Sequence, residues 1–314
     1  MKTFSSAIVI GSSGFVGTHL CHVLSERSIE VHKVDIESDT PIDICKPFDI
    51  CGNFGDGTVI FNLAAIHRTP GHRDEEYFET NMLGAKNVCS FAERHGIETI
   101  IFTSSISPYG TSEDRKTEDT LPMPNTPYGI SKLVAEHIHR EWAASSAGRF
   151  LSITRPGIIF GSGENGNMTR LYKALKKRRF AYAGRKDTIK ACIYVKDLVR
   201  ILIDMAENPK ESVQTYNCTY FPAPSIQEIA EAMNKTTGLN RFIPYIPKIP
   251  LLALASIAGI LGGLGLGICP ERVRKLMVST DVSGERLSRD YPIRFSLEEA
   301  FADWLGDCEE GGLG

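Results

Sequence analysis

Two side chains placed four residues apart have the chemistry to remove a proton from a substrate hydroxyl. Tyr128 and Lys132 stand in the sequence Tyr128-Gly-Ile-Ser-Lys132. Residues four apart lie on one face of a helix, so the phenol and the ammonium would project together. A phenol ordinarily titrates near pH ~10, and a neighbouring cation favours its charged form. The pair therefore predicts a general base that works nearer neutral pH, and a surface pair on an ordinary helix is the alternative.

The residues around this pair predict a helix that runs to about residue 142. Thr126 can cap its N-terminus, and Pro127 suits the first turn, where the missing N–H costs nothing. The apolar positions Leu133, Val134 and Ile138 recur at helical spacing. Polar residues stand between them, namely Glu136, His139, Arg140 and Glu141. The pattern predicts an amphipathic helix.

Length and composition predict a globular protein with a sizeable core. The chain has 314 residues, of which 42% are hydrophobic and 23% charged. This length is enough for one large core, or for a core with a smaller lobe. The formal net charge of -3 gives no basic footprint for nucleic acid.

The cysteines predict neither a metal site nor a disulfide framework. The chain has 8 cysteines with no Cys-x-x-Cys pair and no histidine partner at metal-ligand spacing. Scattered thiols are typical of a reducing compartment. Residues 1–4 lead directly into a strand and leave no room for an export segment. We therefore expect a cytoplasmic protein without a bound metal.

A glycine-rich turn follows the first apolar run of the chain. Residues 7–10 predict a strand, Gly11-Ser-Ser-Gly14-Phe15-Val16-Gly17 comes next, and a helical pattern follows. A strand, a glycine turn and a helix in this order predict a dinucleotide site. The glycines let backbone N–H groups approach a pyrophosphate at the positive end of the helix. The spacing is Gly-x-x-Gly-x-x-Gly, and a plain strand-to-helix turn is the alternative.

An acidic residue at the end of the second strand indicates which dinucleotide binds. The predicted second strand begins at Val31 and ends at Asp35. Asp35 stands 18 residues after Gly17. A carboxylate there can accept both ribose hydroxyls and would repel a 2′-phosphate, which favours NAD over NADP. Residues 41–44 predict a shorter, less regular third strand, from which Asp43 could reach an adenine amino group.

The next segments continue the alternation of strands and helices. Residues 58–65 and 98–105 predict strands, and residues 81–88 predict a helix between them. This order predicts a doubly wound, Rossmann-like α/β fold with a parallel sheet and helices on both faces. Ligands of such sheets lie beyond the carboxyl ends of the strands, where Ala65 and Ser105 would stand with Gly11 and Asp35.

At this point the chain resembles the extended short-chain dehydrogenase/reductases, specifically the NAD-dependent epimerase/dehydratase group that acts on nucleotide sugars. The motifs stand in family order over about the first 200 residues. They are the glycine turn, Asp35, Asp43-Ile44, Asn62-Leu-Ala-Ala65, Asn81, Thr103-Ser-Ser-Ile-Ser-Pro-Tyr-Gly110, Pro127-Tyr-Gly-Ile-Ser-Lys132, Arg155-Pro-Gly157 and Tyr194-Val-Lys-Asp-Leu198.

The resemblance implies a role for each matching residue. Tyr128 corresponds to the catalytic base, Ser105 to the hydroxyl that bonds the reacting sugar oxygen, and Lys132 to the residue that lowers the pKa of the base and holds the nicotinamide ribose. Ile158 stands where many members have asparagine, which departs from the pattern. The implied cofactor contacts are Gly11, Gly14, Phe15, Val16, Gly17, Asp35, Asp43, Ile44, Leu63, Ala64, Ala65, Asn81, Tyr128, Lys132 and Pro156.

The C-terminal half predicts a smaller substrate-binding lobe. We expect the NAD-binding domain over 1–165 with a return segment near 190–215, and the lobe over 166–189 and 216–314. Helices are predicted at 225–237 and 295–304. The basic residues of 173–179 predict a solvated face, with contact to a nucleotide diphosphate as the alternative. The candidate substrate contacts are Ser107, Asn167, Lys190 and Arg272.

Residues 251–269 contain no charge. Their 19 residues approach the length of a membrane span, but five glycines make a poor continuous helix. The run favours a buried helix with a glycine-rich loop. A dimer contact, a peripheral membrane contact and a true span are the alternatives. We also expect a homodimer.

The resemblance narrows the reaction to a few classes. Dehydratases of the family place Asp-Glu after the catalytic hydroxyl residue, whereas Ile106-Ser107 follows Ser105 here. The expected activity is therefore that of a UDP-sugar 4-epimerase, because an oxidised NAD suits a redox-neutral cycle. A nucleotide-4-ketosugar reductase is the alternative, and an NAD-binding sensor without activity is a third reading.

Overall fold

A parallel sheet of six strands forms the centre of the protein in a computed structural model that describes residues 3–67, 71–249 and 277–311. The strands are β1 (Ser6–Ile10), β2 (Glu30–Val34), β3 (Thr58–Asn62), β4 (Thr99–Thr103), β5 (Phe150–Pro156) and, after three short strands, β9 (Val213–Cys218). Their order is β2-β1-β3-β4-β5-β9, and every neighbouring pair is parallel. The predicted α/β fold is confirmed.

Helices cover both faces of this sheet. On one face lie α1 (Phe15–Glu26) and α6 (Val195–Glu207), and on the other lie α3 (Gly84–Arg94) and α4 (Pro127–Ala144). Successive strand residues point to opposite faces, so Ala7 and Val9 join the first core while Ile8 and Ile10 join the second. Burial on both faces explains why the inner strands β1, β3 and β4 are mostly apolar, whereas the edge strand β2 is less buried and carries Glu30, His32 and Lys33.

The order of the strands creates a crevice at one edge of the sheet. The chain moves outward from β1 to β2 and then returns to place β3 on the other side of β1. Ligands of open α/β sheets bind where the strand order reverses in this way, beyond the carboxyl ends of the strands. The glycine turn, Asp35 and Ala65 all follow strands at this edge.

The predicted third strand at residues 41–44 is wrong. This segment is irregular, although the Ile42 N–H donates to the carbonyl of Asp35 and Ile44 packs against Gly84. A Cβ on Gly84 would lie 2.7 Å from the end of the Ile44 side chain, which shows how closely this segment approaches the helix. Packing against a helix replaces strand pairing here.

The remaining elements form two small sheets and several helices. The chain adds α2 (Asp74–Phe78), a π-helix (Glu79–Leu83), a 3₁₀ turn (Ser107–Tyr109), β6 (Ile158–Phe160), α5 (Asn167–Lys176), β7 (Tyr182–Gly184), β8 (Cys192–Tyr194), α7 (Ile226–Thr236), β10 (Tyr245–Pro247), α8 (Glu285–Asp290) and α9 (Leu297–Gly311). β6 pairs with β8, and β7 pairs with β10. β9 extends the main sheet to Cys218, three residues beyond the predicted end of the return segment.

The two predicted C-terminal helices are confirmed. Ser225 and Glu228 form a capping box at the start of α7. Ser296 accepts a hydrogen bond from the backbone of Glu299 at the start of α9, and Phe301 and Trp304 of that helix pack against Phe160. In the described part of the chain, no helix has the length and apolar character needed to cross a bilayer. The uncharged residues 251–269 lie outside that part.

Candidate active site

Helix α4 carries Tyr128 and Lys132 toward the end of β4. The Thr126 hydroxyl accepts the Gly129 N–H at 3.1 Å, as the sequence predicts, and Pro127 is the first helical residue. A Cβ on Gly129 would lie only 2.6 Å from the carbonyl oxygen of Ser107. Glycine therefore lets the helix start directly against the segment that follows β4, where Ser105 lies.

Ser105 and Tyr128 contact each other at this junction. The Ser105 hydroxyl donates to the Ser107 hydroxyl at 3.1 Å, and the Ser107 N–H donates to Ser105 Oγ at 3.1 Å. Burial raises the pKa of Tyr128, while the hydrogen bond with Ser105 lowers it and the nearby Tyr77 raises it. The net effect is a Tyr128 pKa above its ordinary value, because burial outweighs the hydrogen bond.

Lys132 is fully buried one helical turn further on. Its Nζ donates to the Thr103 carbonyl at 2.7 Å and lies 4.4 Å from the centre of the Phe102 ring. Burial lowers the pKa of Lys132 to about 7, and Glu136 acts in the opposite direction. The predicted lowering of the Tyr128 pKa by Lys132 is thus not found in this structure, since desolvation of the phenol dominates its pKa.

The buried face of α4 differs from the amphipathic pattern. Lys132, Glu136 and His139 are almost completely buried, whereas Leu133 and Ile138 are only half-buried. Each of the three polar residues has a partner: His139 Nδ1 lies 2.7 Å from the Ala135 carbonyl, and its ring stacks on Phe102 at 4.1 Å. Because their polar atoms are paired, these residues can occupy the core side of the helix.

A buried network that the sequence reasoning missed lies behind the candidate catalytic residues. The Arg155 guanidinium donates to both oxygens of Glu136, at 2.8 and 2.5 Å, and Ser104 Oγ donates to Glu136 at 2.6 Å. Arg155 also donates to Tyr109 Oη at 2.9 Å, and this hydroxyl donates to Asn217 at 2.8 Å. One feature of the sequence could have indicated that Glu136 belongs to the site. Glu136 follows Lys132 by four residues and therefore lies on the same face of the helix as Tyr128 and Lys132.

The glycine turn forms a tight cradle at the end of β1. Gly11 has a φ of +85°, and a Cβ there would lie 2.8 Å from the backbone nitrogen of Ala64. A Cβ on Gly17 would lie 2.1 Å from the Gly11 carbonyl oxygen. Only hydrogen fits at either position. The resulting close approach of backbone to the start of α1 fits a bound pyrophosphate.

Asp35 lies beside this cradle. Its carboxylate accepts the Ser13 N–H at 2.9 Å and the Glu37 N–H at 3.0 Å. These bonds join the end of β2 to the glycine turn, so the carboxylate stands where an adenine ribose would follow the pyrophosphate. Asp43 accepts the Cys45 N–H at 2.9 Å, and this bond lowers the Asp43 pKa.

Asn81 occupies the π-helix and connects two parts of the site. Its side chain accepts the Ile66 N–H at 3.1 Å and donates to Ser131 Oγ at 2.9 Å, and Ser131 donates to the Tyr128 carbonyl. The segment after β3 is thereby joined to α4. Single π-helical turns occur often at functional sites.

The other predicted cofactor residues line the same edge of the sheet. Three of them have half-buried side chains and follow β3. The fourth is the proline that ends β5, and its backbone carbonyl accepts the Ile106 N–H at 3.2 Å. These residues are Leu63, Ala64, Ala65 and Pro156. Phe15 and Val16 begin α1, and Ile44 is buried against α3.

The predicted substrate contacts are only partly brought together. Ser107 lies beside Ser105, as described above, and Asn167 is exposed in the first turn of α5. Lys190 donates from Nζ to the Val278 carbonyl at 2.8 Å, and burial lowers its pKa. Arg272 lies outside the described residues. Within those residues, no cluster of three or more His, Cys, Asp or Glu could hold a metal.

Comparison with protein families identifies the chain. The model of the NAD dependent epimerase/dehydratase family matches residues 7–219. The chain belongs to this family. It is thus an NAD-dependent enzyme of the extended short-chain dehydrogenase/reductase type, and the resemblance seen in the sequence is confirmed.

Individual relatives of this family member include two 4-epimerases. The N-acetyl-alpha-D-glucosaminyl-diphospho-ditrans,octacis-undecaprenol 4-epimerase of Escherichia coli O157:H7 is 29% identical over 303 residues, which cover 90% of this chain and 88% of the relative. The UDP-glucose 4-epimerase of Vibrio cholerae is 26% identical over 259 residues, which cover 75% of this chain and 78% of that enzyme.

A solved structure shares the fold of this family member along its length. MoeE5 in complex with UDP-glucuronic acid and NAD has a TM-score of 0.73 at 23% identity, over 98% of this chain and 99% of MoeE5. The family is NAD-dependent, so the predicted cofactor is confirmed. The glycine cradle and the Asp35 carboxylate described above fit that dinucleotide.

Proposed function

We propose that this enzyme is an NAD-dependent 4-epimerase of a diphosphate-linked sugar, with a UDP-sugar as the first candidate substrate. The observation that carries the proposal is the contact of Ser105 with Tyr128 beside the buried Lys132. Two hydroxyls side by side can exchange a proton with one sugar hydroxyl. A sensor that only binds NAD has no use for such an arrangement.

In the proposed reaction, Tyr128 takes the proton of the C4 hydroxyl while Ser105 donates a hydrogen bond to the same oxygen. NAD, when bound, accepts a hydride and returns it, and its positive charge favours the phenolate form of Tyr128. Lys132 and Asn81 hold the helix that presents the phenol, through Thr103 and Ser131. Inversion would require that the 4-keto sugar presents its opposite face when the hydride returns to C4, and Tyr128 would then give its proton back to the C4 oxygen.

Epimerisation is favoured over dehydration by the residues that follow Ser105. Elimination of water needs an acid and a base beside the catalytic hydroxyl, and Ile106 and Ser107 occupy the positions where family dehydratases carry Asp-Glu. Glu136, the nearby buried carboxylate, is already paired with Arg155. The alternative is a 4-ketosugar reductase, which would use the same three catalytic residues. It would differ from the epimerase in consuming reduced cofactor supplied from outside.

A second candidate substrate is a sugar linked through diphosphate to a polyprenol. The observation that favours it is the similarity to the E. coli undecaprenol-linked 4-epimerase, which extends over 90% of the chain, against 75% for the UDP-glucose 4-epimerase. A match over 90% of the chain necessarily extends into the C-terminal half, where the substrate lobe is expected. Both candidates present a sugar on a diphosphate, so the catalytic residues serve either one.

The test follows the anomeric proton by NMR without added cofactor. The purified protein is incubated in parallel with UDP-N-acetylglucosamine, UDP-glucose, a GDP-sugar and an N-acetylhexosamine on a short polyprenyl diphosphate. A C4-inverted product without net NADH formation supports the epimerase, and the preferred carrier distinguishes the two candidates. Strict dependence on stoichiometric NAD(P)H and a keto-sugar would assign the reductase instead.

The organisation of the chain is part of the same proposal. The sugar would lie between the NAD-binding domain of 1–165 and a lobe formed by 166–189 and 216–314. A homodimer in the cytoplasm remains our prediction, which light scattering of the purified protein and cell fractionation would test.

A further inference from the structure

A surface of the C-terminal half combines exposed apolar side chains with a cluster of exposed basic ones. Three large apolar residues stand exposed within eight positions: Phe242 at 91%, Tyr245 at 46% and Ile249 at 83%. Exposed apolar residues are common on protein surfaces, so the distinguishing feature of this segment is that its exposed apolar residues lie near a cluster of basic side chains.

The basic part of this surface lies at the end of α5. Lys176, Lys177, Arg178 and Arg179 are all exposed. In the described part of the chain, no carboxylate lies within ion-pair distance of any of the four. Four adjacent positive charges without a carboxylate partner contrast with the net charge of -3 for the whole protein, although Lys176 also lies 5.9 Å from the centre of the Tyr172 ring. Arg178 has a φ of +55°, a conformation in which glycine or asparagine is usual.

Hydrogen bonds hold the two parts together. Arg241 donates from Nη1 to the Lys176 carbonyl at 2.5 Å and to the Leu175 carbonyl at 3.4 Å, so it caps the C-terminal end of α5. Phe242 is the next residue. Its neighbour Tyr245 donates to the Gly184 carbonyl at 2.9 Å, and β10 pairs with β7. The segments that carry Phe242 and Tyr245 are therefore held beside the basic turn and the strand that follows it.

We propose that this surface, defined by Lys176–Arg179, Phe242, Tyr245 and Ile249, binds the surface of an anionic lipid bilayer. Basic residues are attracted to the negative headgroups, and aromatic and aliphatic side chains enter the boundary between headgroups and acyl chains. In the sequence Ile249 leads directly into the uncharged run that ends at Cys269, which continues the apolar character. A second protein copy would place four positive charges against the same four charges, which disfavours a symmetric contact here.

Membrane binding explains how the enzyme could meet a polyprenol-linked sugar, but it does not depend on that substrate. The binding is measured on the full-length protein without turnover. If the protein showed no epimerase activity, the measured binding to vesicles would be unaffected. If it did not bind vesicles, the epimerase proposal would likewise be unaffected.

The test is co-sedimentation with vesicles of phosphatidylcholine alone or with 30% phosphatidylglycerol, at about 0.1 M salt. We expect the protein to partition to the anionic vesicles only. Lys177→Gln with Arg179→Gln should lower the partition coefficient about 25-fold, since each basic residue near such a surface contributes about fivefold. Phe242→Ser with Ile249→Ser should lower it by more than about tenfold.

The matched control is Leu121→Ser with Met123→Ser, which removes two apolar side chains exposed at 76% and 72% elsewhere on the protein. This control should bind as the wild type does, and thermal melting checks that all variants are folded. Three outcomes would each overturn the proposal: equal binding to both vesicle types, unchanged binding of the Phe242 and Ile249 variant, or an equal loss in the control. Dimerisation that the Phe242 and Ile249 variant abolishes, without vesicle binding, would reassign the surface to contact between copies.

Discussion

Glu136 and Arg155 form a buried ion pair one helical turn from Lys132. The guanidinium donates two hydrogen bonds, from Nε to Oε1 at 2.8 Å and from Nη2 to Oε2 at 2.5 Å. Ser104 donates to the same carboxylate, so the pair connects α4, β5 and the residue before Ser105. A planar, two-point contact of this kind fixes orientation as well as distance. The pair thus sets how α4 presents Tyr128 to Ser105.

Glu136→Gln should strongly destabilise the fold. The amide keeps the shape but leaves the Arg155 charge buried without a counter-charge, and such a loss typically costs ~3–5 kcal/mol. Urea titration gives the free energy of unfolding. Glu298→Gln is the matched control: its partner Lys235 lies 2.8 Å away at the surface, where a pair contributes at most ~1 kcal/mol. Equal effects of the two substitutions would show that the buried pair has no special role.

The candidate catalytic residues could be identified from the sequence. Tyr128 and Lys132 are four apart on one helix, and the family resemblance implies Ser105. The network behind them could not be predicted in the same way. Arg155 stands 19 residues from Glu136, and Tyr109 stands 108 residues from Asn217. Only the parallel order of β4, β5 and β9 brings these residues together.

The face of α4 that is buried could also not be predicted from the hydrophobic pattern of its sequence. Periodicity assigns Glu136 and His139 to the water side because their side chains are polar. Their burial and that of Lys132 depend on partners from other elements, namely Arg155, Asn62 and Thr103. The glycine turn, in contrast, could be predicted from the sequence. Its glycines are required by the backbone of the turn itself and not by partners from distant elements.

Asp35→Asn should weaken the preference for NAD. The amide retains an acceptor for the Ser13 N–H but carries no charge to repel a 2′-phosphate. We expect the ratio of NADP to NAD dissociation constants to fall by about tenfold, because juxtaposed like charges cost energy that the neutral side chain avoids. Fluorescence titration with both cofactors measures the ratio. Asp39→Asn, an exposed carboxylate four residues on, serves as the control. Tighter NADP binding by the unmodified protein would refute this role of Asp35.

Tyr128→Phe should abolish most of the turnover while NAD still binds. The ring remains in place against Tyr77, at a centroid distance of 6.2 Å, but the group that transfers the proton is removed. Loss of a general base typically lowers the rate by ~10²–10⁴. The rate is followed with whichever sugar the NMR panel identifies, and NAD binding is titrated separately. Tyr220→Phe removes a buried hydroxyl that has no hydrogen-bond partner among the described residues, and it should retain full turnover. A Tyr128→Phe enzyme with near-normal turnover would exclude the phenol from the mechanism.

The low pKa of Lys132 should make the cofactor-free protein more stable as the pH rises above about 7. The folded pKa is about 7 and the ordinary value is 10.5, so between these values the unfolded chain binds more protons than the folded one. Stability then rises with pH, by at most ~1.4 kcal/mol per pH unit. Measurements should end near pH ~8.5, because buried thiols lower the stability of the fold as the pH rises further. Burial raises the pKa of Cys89, for example, to about 12.

The free energy of unfolding is measured by urea titration at about half-unit steps of pH. Lys132→Met should remove the rise in stability, because methionine keeps the apolar stem without a titratable group. Lys46→Met, which changes an exposed lysine, should retain it. A rise that persists unchanged in Lys132→Met would mean that another group carries it and that Lys132 is protonated to the same extent in the folded and unfolded chains.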